Sequence, residues 1–366
     1  MTRKQGIRAF LFLFLLTLIL WITGSVIGMP KTDDVVLMTR RFQALYTEEE
    51  DTWDGILVGV STADRSWAAP LAWEKYGMAV YPMSTDGQVP FLFTNLIEEV
   101  RNYQDLSFVI VDLQATRPAA FKRAGSRVRW ITDHMKPSLD RIKAVKKALD
   151  YMDKWYPGAY DESLINRLSY YIPFLKFHSR VTADEFYEWD FKPGTSQMKG
   201  VYEAERHSKA EQVDLQPSDA YTELTEQQLD LFEELFAYAE ESGIQLVFLN
   251  PPTVRNETEM GYLNAAAQYA AEQGYPVLNF NDEEVLAASG INGADDFIDG
   301  RHLNTSGAYK YTQYVSDWLQ EQLSLDDHRG DERYASWDEA WKVYEAFYEQ
   351  SLAEIEMWKA EKQRRT

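Results

Sequence analysis

The chain has no cysteine, and that absence removes a whole set of chemistries. No disulfide can staple the fold, no thiolate can act as a nucleophile, and no iron–sulfur cluster, cysteine-ligated zinc or lipidated cysteine can form. Positive charge is scarce as well: 37 lysines and arginines stand against 58 acidic residues, a formal net charge of −21. A sequence-independent DNA or RNA binder carries the opposite balance, so nucleic acid is set aside as a partner. Internal repeats and low-complexity tracts are also missing. What the 366 residues do contain is 45% hydrophobic and 14% aromatic side chains. That is enough for a sizeable core and far from the composition of a disordered chain.

One segment is apolar throughout. Ala9 to Gly28 runs for 20 residues without a charge and follows Arg3, Lys4 and Arg8. That length matches an α-helix crossing a hydrocarbon core about 30 Å thick. The basic residues before it and Asp33 and Asp34 after it predict a single-pass anchor in the cell membrane, with the N-terminus cytoplasmic and the body extracytoplasmic. A cleaved signal peptide is the rival reading, since Ser25 to Gly28 offers small residues. The expected organisation is a transmembrane anchor at 1–30, a juxtamembrane linker at 31–52 that reads as a stalk or a first helix, an α/β domain at 53–323 with an insertion at 114–220, and a helical tail at 324–366.

Within the body, short apolar runs alternate with helical patterns. Gly55–Val60, Met78–Tyr81, Phe108–Leu113, Ile244–Leu249 and Pro276–Phe280 are β-branched or aromatic and bounded by Gly, Pro, Asn or Asp. Their continuous apolar character suits strands covered on both faces, hence a parallel sheet. Thr225-Glu-Gln-Gln228 reads as a capping box opening a helix that Gly243 closes. Further helices are expected over Thr258–Gln273, Ser306–Leu323 and Trp337–Lys362, the last with an aromatic stripe of Trp337, Trp341, Tyr344, Tyr348 and Trp358. That stripe fits either a tail packed on the domain or a contact with a partner or membrane surface. Strand–helix alternation means a doubly wound α/β sheet, and the stretch from Gln114 to Ala220 reads as a mostly helical insertion, a lid or substrate platform.

Two motifs carry chemistry. The first strand runs into Gly59-Val60-Ser61-Thr62, which puts Ser61 at the carboxyl edge of the sheet, where such folds bind ligands. Gly-x-Ser also describes an ordinary turn. The second motif is Asp299-Gly300-Arg301-His302-Leu303-Asn304 before the last helix of the domain. A carboxylate three residues from an imidazole can hold one ring nitrogen and leave the other as a base. A serine hydroxyl needs such a base near neutral pH. An Asx-turn with a surface histidine is the plain alternative, and a metal pair lacks further ligands nearby. The catalytic candidates are therefore Ser61, Asp299 and His302.

Gly59-Val60-Ser61, then Thr85-Asp86-Gly87-Gln88 after the second strand, then the Asp299–Asn304 block together resemble the SGNH (GDSL-type) hydrolase superfamily. The similarity is greatest to its membrane-anchored bacterial branch, which includes the alginate and peptidoglycan O-acetylation proteins and the D-alanine transfer protein of teichoic acid synthesis. It spans roughly residues 53–323. There are departures: Val60 stands where the family has Asp, Pro82-Met83-Ser84 replaces Asn-x-Gly, and Asp112-Leu113-Gln114 stands where Gly-x-Asn-Asp falls. The resemblance implies a flavodoxin-like three-layer fold with a mainly parallel five-stranded sheet. It implies acyl transfer through an acyl-serine, as an esterase or O-acyltransferase without a cofactor, acting on an envelope polysaccharide or teichoic-acid-like polymer beside a membrane-bound O-acyltransferase. The oxyanion hole would draw on Ser61 with Ser84 or Gly87, and on Gln114. A non-catalytic envelope-polymer scaffold on the same fold is the alternative.

Three substrate-binding candidates complete the list. His178 and Arg180 lie in a stretch, Lys176–Arg180, similar to the anchored branch, with a structural role as the rival. Arg117 belongs to a basic cluster with Lys122, Arg123, Arg127 and Arg129, read either as a solvated face or as a strip that steers an anionic polymer. His134, His207 and His328 are taken as surface residues.

Overall fold

A computed structural model describes residues 2–26, 33–123, 125–182, 191, 194–202 and 208–365. Two helices come first: α1 (Arg3–Val26) and α2 (Asp33–Thr47). α1 is long and apolar enough to cross a membrane, with a mean hydropathy of 2.2 over an 18-residue window within Arg3–Gly24. Two of its hydroxyls are satisfied by the helix's own backbone, Thr17 donating to the Leu13 carbonyl at 2.9 Å and Thr23 to that of Ile19 at 2.7 Å. The anchor's end and the start of the expected linker, residues 27–32, lie outside the described residues.

The body is a mixed α/β unit. β1 (Gly55–Val58) leads through α3 (Ser61–Asp64) and α4 (Ala69–Tyr76) to β2 (Val80–Pro82), and α5 (Phe93–Arg101) leads to β3 (Phe108–Asp112). A long helical connection follows: α6 (Pro118–Phe121), α7 (Ser126–Thr132), α8 (Leu139–Trp155), α9 (Leu164–Tyr171), α10 (Phe174–Phe177) and α11 (Glu226–Ser242). Then come β4 (Gln245–Asn250), α12 (Glu257–Glu272), β5 (Val277–Asn279), α13 (Glu283–Ser289), the hairpin β6 (Phe297–Asp299) and β7 (His302–Leu303), α14 (Thr305–Leu323) and α15 (Ala335–Arg365).

The five-stranded sheet has the order β2-β1-β3-β4-β5 and every pairing is parallel. Right-handed crossovers from β1 outward in both directions send connections to opposite faces. α4 and α14 pack together on one side, while α5 meets α11 on the other. With both faces covered, β1 and β3 are buried along their whole length, which is why they read as unbroken apolar runs. The capping box at Thr225 forms as expected, Gln228 Oε1 accepting the Thr225 N–H at 3.0 Å. The connection between β3 and β4 is helical over most of its first half, as the sequence suggests, and carries no α-helix over 194–202 and 208–225; residues 183–190, 192–193 and 203–207 fall outside the described set, His207 among them.

One boundary differs from the expected linker. Residues 33–47 are not a free linker: Met38, Phe42, Ala44 and Leu45 belong to the main core, and Arg41 beside them is wholly buried. The apolar side of α2 is too short and too interrupted by charge to announce this in sequence. Of the two readings of the C-terminal aromatic stripe, the structure favours the tail packed on the domain. Trp337 is fully buried in the same core, 5.8 Å from the Trp73 ring, and the Trp73 indole N–H donates to Asp338 at 2.8 Å. His328 is no idle surface residue either, since its Nε2 meets Asp54 at 2.8 Å and its ring stacks on Tyr334 at 4.5 Å. His134 Nε2 likewise reaches the Thr39 hydroxyl at 2.9 Å. Trp337→Ala is expected to cost about 3–5 kcal/mol, read as a lower urea midpoint. A loss below about 1 kcal/mol would show that α15 does not share the core.

Candidate active site

The carboxyl ends of β1 and β3 approach each other so closely that only glycine fits between them. A Cβ on Gly59 would lie 2.3 Å from the Asp112 Cβ. Asp112 is fully buried there. Its Oδ2 accepts the Val60 N–H at 3.0 Å and the Thr62 hydroxyl at 3.3 Å, while Oδ1 accepts the Gln114 N–H at 2.8 Å. Burial raises its pKa to about 6 against the pull of those donors. Gln88 completes the frame: its carbonyl accepts the Gly59 N–H at 2.9 Å and its amide donates to the Met83 carbonyl at 2.7 Å. The chain then turns into α3, whose first residue is Ser61.

A second set of contacts fixes the far end of α3. Arg41 of α2 forms a buried ion pair with Asp64 and donates to the carbonyls of Ser84 and Gly200. The loop after α3 is tied to α14, with the Ala68 N–H donating to the Thr312 hydroxyl at 2.9 Å and that hydroxyl donating to the Ser66 carbonyl at 3.1 Å. α14 starts just beyond β7, so the same helix that clamps the serine loop also carries the histidine hairpin.

That hairpin turns at Gly300-Arg301. Asp299 Oδ1 accepts the N–H groups of Arg301 at 2.7 Å and His302 at 3.0 Å, an Asx-turn. The same carboxylate lies 2.9 Å from His302 Nδ1 through Oδ2. The turn and the imidazole contact, alternatives in sequence, are made together. A carboxylate only accepts, so Nδ1 carries the proton and Nε2 is left as acceptor. Nε2 sits 2.9 Å from Ser61 Oγ, across 241 positions of chain.

The electrostatics follow the geometry. Burial pulls the His302 pKa below its ordinary 6.5; the Asp299 hydrogen bond opposes this, and the charges of Arg65 and Arg255 reinforce it. For Asp299, burial pushes upward, but the His302 contacts and the two backbone N–H groups outweigh it and hold the carboxyl at about 2. A neutral imidazole beside an ionised carboxylate is the state a general base needs.

Ser61 and His302 open into a cavity of about 90 Å³, also lined by Val60, Asp86, Arg117, Ala120, Arg123, Arg255 and Arg301. A larger cavity, about 610 Å³, opens between α1, α2 and residues 133–137 and shares none of these residues. Of the residues expected at an oxyanion hole, Ser61 lines the small cavity, and Ser84, Gly87 and Gln114 do not. Ser84 is wholly buried, its hydroxyl 3.3 Å from Asp64. Gln114 is buried with its amide donating to Asn250 at 2.9 Å and its carbonyl accepting from Arg255 at 3.3 Å. Gly87, at a φ of +66°, underlies Arg123, whose Nη1 would stand 2.3 Å from a Cβ there. Their sequence slots are set by strand order; their side-chain partners are tertiary.

The substrate candidates divide. Arg117 lines the cavity, bound to Glu259 and to the Gln114 carbonyl at 3.1 Å. His178 is exposed and bonds the Leu175 carbonyl at 3.1 Å; neither it nor Arg180 lines the cavity. The basic cluster is not one face. Arg129 is buried against Asp133 and Ser169, Arg127 pairs with Asp86 at 2.8 Å, and Arg123 turns toward Ser61. Sequence reasoning missed Arg255, which nothing local distinguishes. It quoted Asp112 and Gln88 within the family-like blocks without giving either a role, although Asp112 at the end of a strand facing a Gly-x-Ser turn was a usable signal.

No protein-family model, curated protein or solved structure matches the chain. Among the described residues, no group of three or more His, Asp or Glu side chains could hold a metal ion. With only five histidines in the chain, NMR can follow His302 directly. Its midpoint is expected below 6.5, and lower still in Asp299→Asn, because the carboxylate that favours the imidazolium is gone. A midpoint above 7 in the unaltered chain would contradict the assigned environment.

Proposed function

We propose that this protein is a serine esterase or O-acyltransferase of the SGNH type, anchored by α1 with its body outside the cytoplasm. The observation that carries the reading is the hydrogen-bonded series Asp299–His302–Ser61, assembled from chain segments 241 positions apart. Supporting it is the site's position at the carboxyl ends of a doubly wound parallel sheet. In this mechanism His302 Nε2 takes the Ser61 proton as Oγ adds to an ester carbonyl, and Asp299 stabilises the imidazolium. The tetrahedral intermediate collapses as the imidazolium returns that proton to the departing alcohol. Water or an acceptor hydroxyl then attacks the acyl-serine with the same base, releasing acid or a new ester. The Ser61 N–H and the guanidinium charges around the cavity stabilise the developing oxyanion.

The acceptor in this proposal is an envelope polysaccharide or teichoic-acid-like polymer, with a membrane-bound O-acyltransferase as the donor's source. A scaffold without catalysis is favoured by one observation: the Gln114 amide donates to Asn250 and so is turned to the sheet rather than to a substrate.

A fluorophosphonate probe separates the two. The unaltered protein is expected to label at Ser61, and Ser61→Ala to lose labelling; equal labelling of both would overturn the nucleophile. Because His302 acts as base only when neutral and its pKa is lowered, the labelling rate is expected to rise with pH to a plateau, with its midpoint below 6.5. Asp299→Asn should slow labelling by about 10⁴-fold through loss of the correct tautomer.

A further inference from the structure

The cavity at Ser61 is too small for a polymer unit and is charged in one sense. Its volume of about 90 Å³ is well below the roughly 300–1,000 Å³ of ordinary ligand sites, so only the fragment bearing the reacting ester enters. Four guanidinium groups line it against the single carboxylate of Asp86, and Asp86 is already engaged by Arg127 at 2.8 Å. Arg117 is likewise spent on Glu259. Arg123, Arg255 and Arg301 pair with no carboxylate among the described residues.

We propose that the esterified fragment taken by this site carries its own compact oxyanion, held by Arg123, Arg255 and Arg301. The inference rests on the acyl-transfer reading above and specifies its substrate class. Gathering like charges is costly, and a chain of net charge −21 has ample acid with which to pair them. Arg255 records that cost: burial, then the neighbouring charge of Arg117, takes its pKa down to about 10, with Arg301 adding to the effect. An oxyanion bound among the three arginines relieves the repulsion and forms charge-assisted, forked hydrogen bonds. An uncharged acetyl group leaves the arginines unpaired, and a cationic aminoacyl group adds to the repulsion. The bond changes are those of the proposed reaction: the Ser61 Oγ–acyl bond forms as the ester C–O bond breaks, and the serine proton leaves with the alcohol through His302.

Three esters of similar size test this, each rate normalised to its spontaneous hydrolysis: 4-nitrophenyl acetate, 4-nitrophenyl hemisuccinate with the carboxylate on the acyl side, and 4-acetoxy-3-nitrobenzoate with it on the alcohol side. At least one anionic ester is expected to show kcat/KM about tenfold above the neutral one at low salt, with the advantage shrinking at high ionic strength. Which ester gains tells whether the charge belongs to the acyl group or the alcohol. Stronger competition by inorganic phosphate than by acetate would assign a phosphate, and the reverse a carboxylate. Arg123→Gln and Arg301→Gln alter exposed side chains, so folding is spared, and each is expected to cut the anionic-to-neutral ratio about threefold. A preference that survives both substitutions overturns the assignment to these arginines. Hydrolysis of the neutral ester with no anionic advantage overturns the oxyanion subsite and leaves acyl transfer standing. No turnover of any ester, together with no fluorophosphonate labelling, overturns both.

Discussion

A buried carboxylate must find donors or remain protonated, and at the top of this sheet Asp112 finds three: the N–H groups of Val60 and Gln114 and the hydroxyl of Thr62. Two of the three flank Ser61. Satisfying Asp112 therefore dictates the path of the chain out of β1, and the absence of a side chain at Gly59 lets that path come close enough. From there the constraint spreads. Asp64, at the end of the same short helix, holds the buried Arg41, which brings α2 into the core. Thr312 grips the loop beyond and so sets the helix from which the His302 hairpin departs. The Ser61 hydroxyl and the imidazole meet because two separately braced segments share one helix.

Electrostatics then differentiates the site from the rest of an acidic protein. Burial and the neighbouring arginines keep His302 neutral where an exposed histidine would begin to charge, while Asp299 keeps its charge and the correct ring nitrogen protonated. Arg255, one of the two arginines that depress the imidazole pKa, also lines the cavity. A positive field around a neutral base favours negative charge developing on a substrate over positive charge developing on the histidine. Asp299 offsets the second effect locally, and its contact with the imidazole is all the more consequential for that.

Much of the scaffold was legible in order of residues, because its determinants are local. Unbroken β-branched runs such as Phe108–Asp112 have no polar face to hide, so they declare a strand buried on both sides. Thr225 and Gln228 are three apart, and the capping box they make depends on nothing else. Asp299 and His302 were readable for the same reason. Other features were not local. α2 could be read as a stalk or as a first helix, since Arg40 and Arg41 interrupt its apolar side; Arg41 is at home in the core only because Asp64 and two carbonyls receive it. The side chains at the expected oxyanion positions are likewise settled by tertiary partners. Ser84 and Gln114 occupy the anticipated strand ends, but a strand end can direct a side chain into the sheet as readily as toward a ligand, and here Asp64 and Asn250 claim them.

The sequence by itself determined the alternation of strands and helices, the apolar helix at the start of the chain, the helix caps, and the presence of a serine, an aspartate and a histidine at chemically suggestive positions. Periodicity and short-range spacing encode these, and each is decided within one or two turns of chain. Only the tertiary structure decided that Ser61 lies 2.9 Å from His302, that α2 and α15 belong to the core, and that four arginines from three separate segments face one small cavity. Those outcomes depend on which elements pack together, and a one-dimensional pattern carries no distance between residues that far apart.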